Sequence, residues 1–429
     1  MSVVDEFRAR IERHGVVLAD QALVSGTSFV TTVLLVRALG LDGFGRFSLA
    51  WMAVVFAQAL QLAFVGTPMA TLGPKEEGER AQAYHADVLR LELAFLAAAL
   101  ALGLAVGVPA ARALGAGLSV PELGAVAFLA LARCAHDFVR QRAYVLEARG
   151  LALRIDVSAA AVQLLLLALL GFGGRLDPAS ALGALGVGSL AGVVAGLPDT
   201  ATWRAAPGAV RRAALRHAGM SRWLVALAVL QWFTSNAFAL AAGAVLGPAA
   251  LGALRAGQTV MGVLHVGLLA LENVVPVRAA WIAARSSFAA ASAYLVRVAW
   301  IGGACTLAAS VGVGLAAAPL ARLCYGAESP DTVLAIRGFA LLYVFAFLVS
   351  VVTIRLRTQE RTRPVFVAQA LGAGFALLAA RSTVETFGLA GALAGIVLQQ
   401  ALVLLVLALA ARLAREGQAA VRPAAGGAP

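Results

Sequence analysis

The sequence is short of charge. Asp, Glu, Lys and Arg make up 13% of the 429 residues, while hydrophobic residues make up 61%. A soluble domain usually carries about a quarter charged residues, so this chain has too little polar surface to dissolve as one. Lysine is almost missing: Lys75 is the only one, and the net charge of +12 comes from arginine. These arginines sit in loops beside apolar runs and are not interleaved with exposed aromatics. That pattern reads as a topology signal and as attraction to anionic lipid, and it excludes nucleic-acid binding. Cysteine is also scarce. Cys134, Cys305 and Cys324 have neither metal-ligand spacing nor a pairing logic, so they read as small buried hydrophobes. No Walker A motif, no His/Cys/carboxylate cluster and no Ser–His–Asp set can be argued. ATP hydrolysis, a metal and any other cofactor are therefore not expected, and the chain is not read as an enzyme.

What is present is a succession of long apolar runs. A membrane-spanning helix needs about 20 mostly apolar residues. Such runs occur at 16–38, 47–70, 91–110, 121–141, 156–173, 179–200, 222–245, 251–274, 294–317, 332–354, 364–381 and 387–411. The fold class is therefore an all-α integral membrane protein of about twelve transmembrane helices. The sixth run is rich in glycine (Gly183, Gly186, Gly188, Gly192, Gly196) and reads as a close-packed helix or a broken one. Arginine concentrates in alternate loops, as in Arg140, Arg142, Arg149 and Arg154, and again in Arg355, Arg357, Arg361 and Arg363. By the positive-inside rule both termini are expected in the cytoplasm.

Apolar residues at Val3, Val4, Phe7 and Ile11 have helical spacing, so 1–15 reads as a cytoplasmic interfacial segment with no cleavable signal. Residues 16–203 form an N-terminal lobe of six spans. A basic cytoplasmic linker at 204–221 leads to a C-terminal lobe at 222–411, followed by a tail at 412–429. A repeat supports this division. Leu39-Gly40 through Gly45 follows the first span, and Leu246-Gly247 through Gly252 follows the seventh. Two pseudo-symmetric six-helix lobes are typical of transporters.

Polar residues within apolar spans are expensive, so their spacing is informative. Gln21, Ser25, Ser28 and Thr32 share a face of the first span. Gln58 and Gln61 lie together in the second, and Gln231 and Ser235 in the seventh. Arg255, Gln258 and His265 lie in the eighth, where Glu272 continues the spacing. These are candidate walls of a hydrated substrate pathway; the alternative is hydroxyls bonded to their own backbone. In the fourth span Arg133 and Asp137 are four apart, placed either to pair with each other or to leave Arg133 for an anionic ligand. Arg255 and Arg278 bracket the eighth span, and Arg37 ends the first. Asp20 and Glu272 are the candidates for ion coupling, both near span ends.

The run Val36-Arg37-Ala38-Leu39-Gly40 to Gly43-Phe44-Gly45-Arg46-Phe47-Ser48 resembles the first outer turn of bacterial polysaccharide and O-antigen flippases. These belong to the multidrug/oligosaccharidyl-lipid/polysaccharide (MOP) transporter superfamily. Leu246 to Arg255 is similar to the family's second copy, with Ala253 where an aromatic is usual. The resemblance implies a MATE-like fold in a bacterial inner membrane. It also implies alternating access and a substrate of isoprenoid diphosphate carrying an oligosaccharide; Arg133, Arg255, Arg278 and Arg37 are the cations expected to hold its anionic head, because arginine near a span is costly unless it meets a partner and its fork suits phosphate. Coupling to H+ or Na+, and polymerase or glycosyltransferase neighbours, belong to the same expectation. An ion-coupled small-molecule antiporter of the same superfamily is the competing reading, and a strong carboxylate cluster deep in one lobe would favour it. A membrane glycosyl or acyl transferase is a third, disfavoured by the short outer loops.

Overall fold

The structure, a computed structural model, describes residues 3–109, 119–197, 207–359 and 361–420. Within these, the side chains of 3–19, 263, 265–267, 269, 270, 272, 273 and 414–420 fall outside the description. Every regular element among the described residues is helical. In chain order these are α1 (Val3–Gln61), α2 (Thr67–Leu72), α3 (Gly78–Leu102), α4 (Val120–Val145), α5 (Arg149–Phe172) and α6 (Pro178–Ala195). They continue with α7 (Ala209–Leu246), α8 (Pro248–Val260), α9 (Gly262–Arg285), α10 (Phe288–Leu315), α11 (Ala317–Tyr325), α12 (Pro330–Thr358) and α13 (Arg363–Ala420).

Two of these helices run from one expected span into the next: α13 holds both of its spans, and α1 holds the first and begins the second, which continues through Leu62–Gly66 and α2. α1 breaks at Gly40 (φ 67°, ψ −179°) and α13 at Gly388 (φ 60°, ψ −142°). Positive φ costs a glycine nothing, so the chain turns there without strain. With the breaks counted, the architecture is the expected one of about twelve helices. Eight segments among the described residues are long and apolar enough to cross a membrane. A 24-residue helix such as α5 is about 36 Å long, enough for a hydrocarbon core of about 30 Å. α4 is not among the eight because it carries Arg133, Asp137 and Arg140. Local signals set where helices begin. Ser119 and Glu122 form a capping box at α4 with Pro121 in the first turn, and Asp177 with Ser180 does the same for α6 beside Pro178. The Glu122 cap is extended by Arg46, whose Nε and Nη2 donate to its two oxygens at 3.1 and 2.7 Å.

The chain divides into two compact units. The first comprises 1–233 with 247–252, and the second comprises 234–246 with 253–429. The boundary falls inside α7, and the basic stretch from Ala209 onward is the first part of that helix. In unit 1, α6 packs on both α4 and α5, and α1 packs on α4 and α5. In unit 2, α12 packs on α10 and α13, and α9 on α10. Of the glycine-rich sixth span, Pro178–Ala195 is one unbroken helix, α6, capped at Gly196. Its glycines admit neighbours: a Cβ on Gly192 would overlap the His136 ring and approach the Ile155 carbonyl.

Candidate functional site: a buried ionic network in unit 1

The interior of unit 1 holds a chain of ionisable side chains. It is built on α4, where Arg133, Asp137, Arg140 and Tyr144 recur at helical spacing and so share one face, with His136 beside it. α1 contributes Asp20 and Gln58, and α5 contributes Asp156. Asp20 and Asp156 are buried, and Arg140 lies between them. Its Nη2 donates to Asp20 at 2.8 Å, and its Nε donates to Asp156 at 2.6 Å. The Tyr144 hydroxyl donates to the same Asp20 oxygen at 2.5 Å. His136, 2% exposed, places Nε2 3.3 Å from Asp156 and Nδ1 3.4 Å from Asp137. Gln58 donates to the other Asp137 oxygen at 2.5 Å, and Arg133 Nε lies 3.9 Å from Asp137. Close by in sequence, Gln61 donates to the buried Glu92 at 3.1 Å. One oxygen each of Asp20 and Glu92 is buried without a hydrogen-bond partner.

Ionisable groups in membrane-spanning helices are costly unless they pair with one another or face a cavity or pathway. Here three carboxylates (Asp20, Asp137, Asp156) face two guanidiniums (Arg133, Arg140) with an imidazole between. One proton or one monovalent cation would balance the group. The sequence reading held Asp20 and Glu272 as the only acids for ion coupling. The structure places further acids in unit 1, namely Asp137, Asp156 and Glu92, and Asp20 is drawn into the interior by Arg140 and Tyr144. Arg140, assigned to an inner loop for its charge, belongs to the network too. The missed signal was the period of α4. Positions 133, 137, 140 and 144 repeat at four, three and four, as does the polar face of the first span.

The other sequence candidates are placed as follows. Thr32 donates to the Ser28 carbonyl at 3.0 Å, the self-satisfied arrangement. Ser25 is half-buried, and Gln21 and Arg37 are exposed. Thr31, buried on α1, accepts from Gln163 at 2.7 Å. Gln231 is exposed in unit 1, as are Ser235 and Arg278 in unit 2. Arg255 donates to Asn236 at 2.6 Å and to Gln258 at 2.8 Å. The side chains of His265 and Glu272 lie outside the described residues.

No protein-family model matches the chain, and no curated protein does. Solved structures do match over nearly its full length. An inward-facing multidrug resistance MATE transporter of the MOP superfamily superposes with a TM-score of 0.69 at 15% identity, covering 94% of this chain and 96% of that one. The lipid II flippase MurJ in an inward closed conformation gives 0.70 at 14% identity, covering 92% and 87%. A mutant of the Vibrio cholerae MATE transporter VcmN gives 0.57 at 16% identity, covering 91% and 94%. The chain is a multi-pass membrane protein with the all-α, two-lobed fold of the MOP-superfamily transporters.

Proposed function

We propose that the protein is a secondary transporter of a bacterial inner membrane. It works by alternating access and exchanges a small-molecule substrate for a proton or Na+. The observation that carries this reading is the network Asp20–Arg140–Asp156–His136–Asp137, in which Asp20, His136 and Asp156 are buried and Asp137 and Arg140 half-buried. The antiporter reading asks for a carboxylate cluster inside one lobe, and these three carboxylates within unit 1 support it. A binding element for a coupling ion must hold charge away from lipid and take up one positive charge, and one carboxylate in excess of the guanidiniums is suited to this. Solved structures of the same fold include several MATE multidrug transporters, which supports the same reading.

The test is transport in proteoliposomes, with ethidium as substrate and an internal pH or Na+ dye. Ethidium movement should require the imposed gradient and should be accompanied by counter-flow of one cation species. Asp20→Asn and Asp156→Asn should abolish the counter-flow. Ethidium movement at full rate after the gradients are collapsed would sink the proposal.

A second reading keeps the lipid-linked oligosaccharide as substrate. It is favoured by Arg255, which has no carboxylate partner among the described residues, and by the flippase-like turn at 36–48. An isoprenoid diphosphate would suit such a cation. Flipping of a fluorescent lipid-linked sugar by the same vesicles, with no ethidium movement, would select it.

A further inference from the structure

From Asn273 to Ala327 the chain carries Arg278, Arg285, Arg297 and Arg322 and no Asp or Glu. Arg322 pairs with Glu328 beyond that stretch. Arg278, Arg285 and Arg297 have no carboxylate partner among the described residues. The arginines at the start of α7 in unit 1 differ in this, since Arg212 pairs with Asp87 and Arg216 with Glu76. The hairpin of α9 and α10 in unit 2 therefore holds positive charge that the protein leaves unbalanced.

Helical period puts Val274, Arg278, Trp281 and Arg285 on one stripe of α9, at steps of four, three and four. All four are exposed. The Arg285 guanidinium carbon lies 3.4 Å over the centre of the Trp281 ring, which is itself 56% exposed. The opposite side of α9 is the one that packs: Val275 and Ala279 are buried with Leu295 of α10 and Ile354 of α12. The chain reverses at Ser286 and Ser287. In this antiparallel pair Arg278 and Arg297 stand within about 3 Å of the same level, given a rise of about 1.5 Å per residue. Farther from the tip, Trp300 and Ile301 of α10 are exposed, Trp300 to 77%. Little protein covers α10: 6% of its most apolar stretch is buried, against 39% in α12.

The order of side chains along the hairpin is that of one leaflet of a membrane. Val274, Trp300 and Ile301 offer apolar surface to acyl chains. Arg278 and Arg297 follow at one level, and Trp281 with Arg285 lies nearer the tip. Tryptophan favours the headgroup level, and an arginine stem lies along apolar surface while its charge stays wet. A guanidinium fork suits phosphate, to which it donates two hydrogen bonds at once. Stacking on Trp281 restrains the Arg285 fork and leaves its edge donors free for an anion. Three cations without an acid favour a headgroup with net negative charge over a zwitterionic one, whose ammonium they repel.

We propose that the α9–α10 hairpin binds the phosphate headgroup of an acidic phospholipid of the surrounding membrane, with Arg278, Arg285 and Arg297 as its contacts. This lipid is resident and is not carried across, so the inference rests neither on ion coupling in unit 1 nor on the nature of the substrate.

The experiment counts bound lipid by native mass spectrometry. The purified full chain in a neutral detergent is mixed with phosphatidylglycerol, with phosphatidylcholine of the same acyl chains, or with farnesyl diphosphate. The unaltered protein should retain phosphatidylglycerol at least fivefold over phosphatidylcholine. In Arg278→Gln/Arg285→Gln/Arg297→Gln that excess should fall at least threefold, with an unchanged melting profile. All three positions are exposed, so the fold should tolerate the changes. Should the triple variant fail to fold, Arg285→Gln/Arg297→Gln is used and a twofold fall is expected. Arg211→Gln/Arg222→Gln removes two exposed arginines from unit 1 and should leave the excess as it was. Equal retention of the two phospholipids, an undiminished excess in the folded hairpin variants, or the same loss in the unit 1 variant would overturn the inference. So would retention of farnesyl diphosphate in preference to phosphatidylglycerol, lost in the hairpin variants, since the arginines would then hold a transported diphosphate.

Discussion

The carbonyl oxygen of Pro248 stands where a Cβ on Gly45 would be, and the carbonyl of Leu41 stands where a Cβ on Gly252 would be. One register shift maps Gly40 onto Gly247, Leu41 onto Pro248 and Gly45 onto Gly252. The two turns therefore contact each other reciprocally through equivalent residues. Both also open on a glycine with positive φ, 67° at Gly40 and 93° at Gly247.

That reciprocity gives the first prediction. In Gly45→Ala or Gly252→Ala the new methyl would overlap backbone, which cannot rotate away. The two turns must separate, and each substitution should cost about 1–3 kcal/mol. A cysteine pair at Leu41 and Pro248 should cross-link readily in the unaltered background and at least tenfold more slowly in either alanine variant. Equal rates would refute the close approach.

The second prediction concerns α7. Pro68 has no N–H, so the Phe64 carbonyl four residues earlier loses its usual helical donor, and Leu62–Gly66 is wound as a π-helix. That carbonyl accepts instead from His217 Nδ1 at 3.2 Å and Ser221 Oγ at 3.1 Å. His217 is fully buried, and its Nε2 meets the Tyr84 hydroxyl at 2.9 Å. Around this contact Arg212 pairs with Asp87, and Arg216 pairs with Glu76 and lies over the Tyr84 ring. His217→Ala should lower the melting temperature in detergent through a loss of about 1–3 kcal/mol. Adding Ser221→Ala should cost more than the sum of the two single changes, because the carbonyl then has no partner. Strict additivity would show that water replaces both donors.

A third prediction follows from Arg140. Arg140→Gln leaves Asp20 and Asp156 facing each other without their cation, a loss on the order of 3–5 kcal/mol for a broken buried pair. Arg140→Gln/Asp156→Asn restores the balance of charge and should recover at least half of the lost melting temperature. If the double variant is no more stable than Arg140→Gln, charge balance is not what holds the network.

A fourth prediction is topological. Reporter tags at residue 1, within 204–220 and after residue 412 should all report the cytoplasm, since arginine concentrates in those segments. A periplasmic signal at either end would reject the proposed orientation.

Much of the fold was legible because membrane spans are written in consecutive residues. A run of apolar residues is the same signal before and after folding, and the bilayer allows it little besides a helix. The repeat could be read for the same reason: Leu39-Gly40 and Leu246-Gly247 are local turns whose glycines take positive φ in the structure. The tight packing of α6 was half visible. Its glycines were evident, and whether they broke the helix or admitted neighbours was not. The presence of His136 against Gly192 answers that only in three dimensions.

By itself the sequence determined the membrane class, the number of helices to about twelve, and the two turns that punctuate them. All of these depend on residues within a few positions of one another. Only the tertiary structure decided which charges meet. Asp20 is 120 residues from Arg140, Asp156 lies on the next helix, and each alone looks like a charge at the end of a span. They become a network because α1 and α5 both pack on α4, whose polar face repeats with the helical period. Arg278 and Arg297 of unit 2 likewise stand at one level only because α9 and α10 pack as a hairpin. Helical periodicity fixes which side chains share a face, and packing fixes what that face meets.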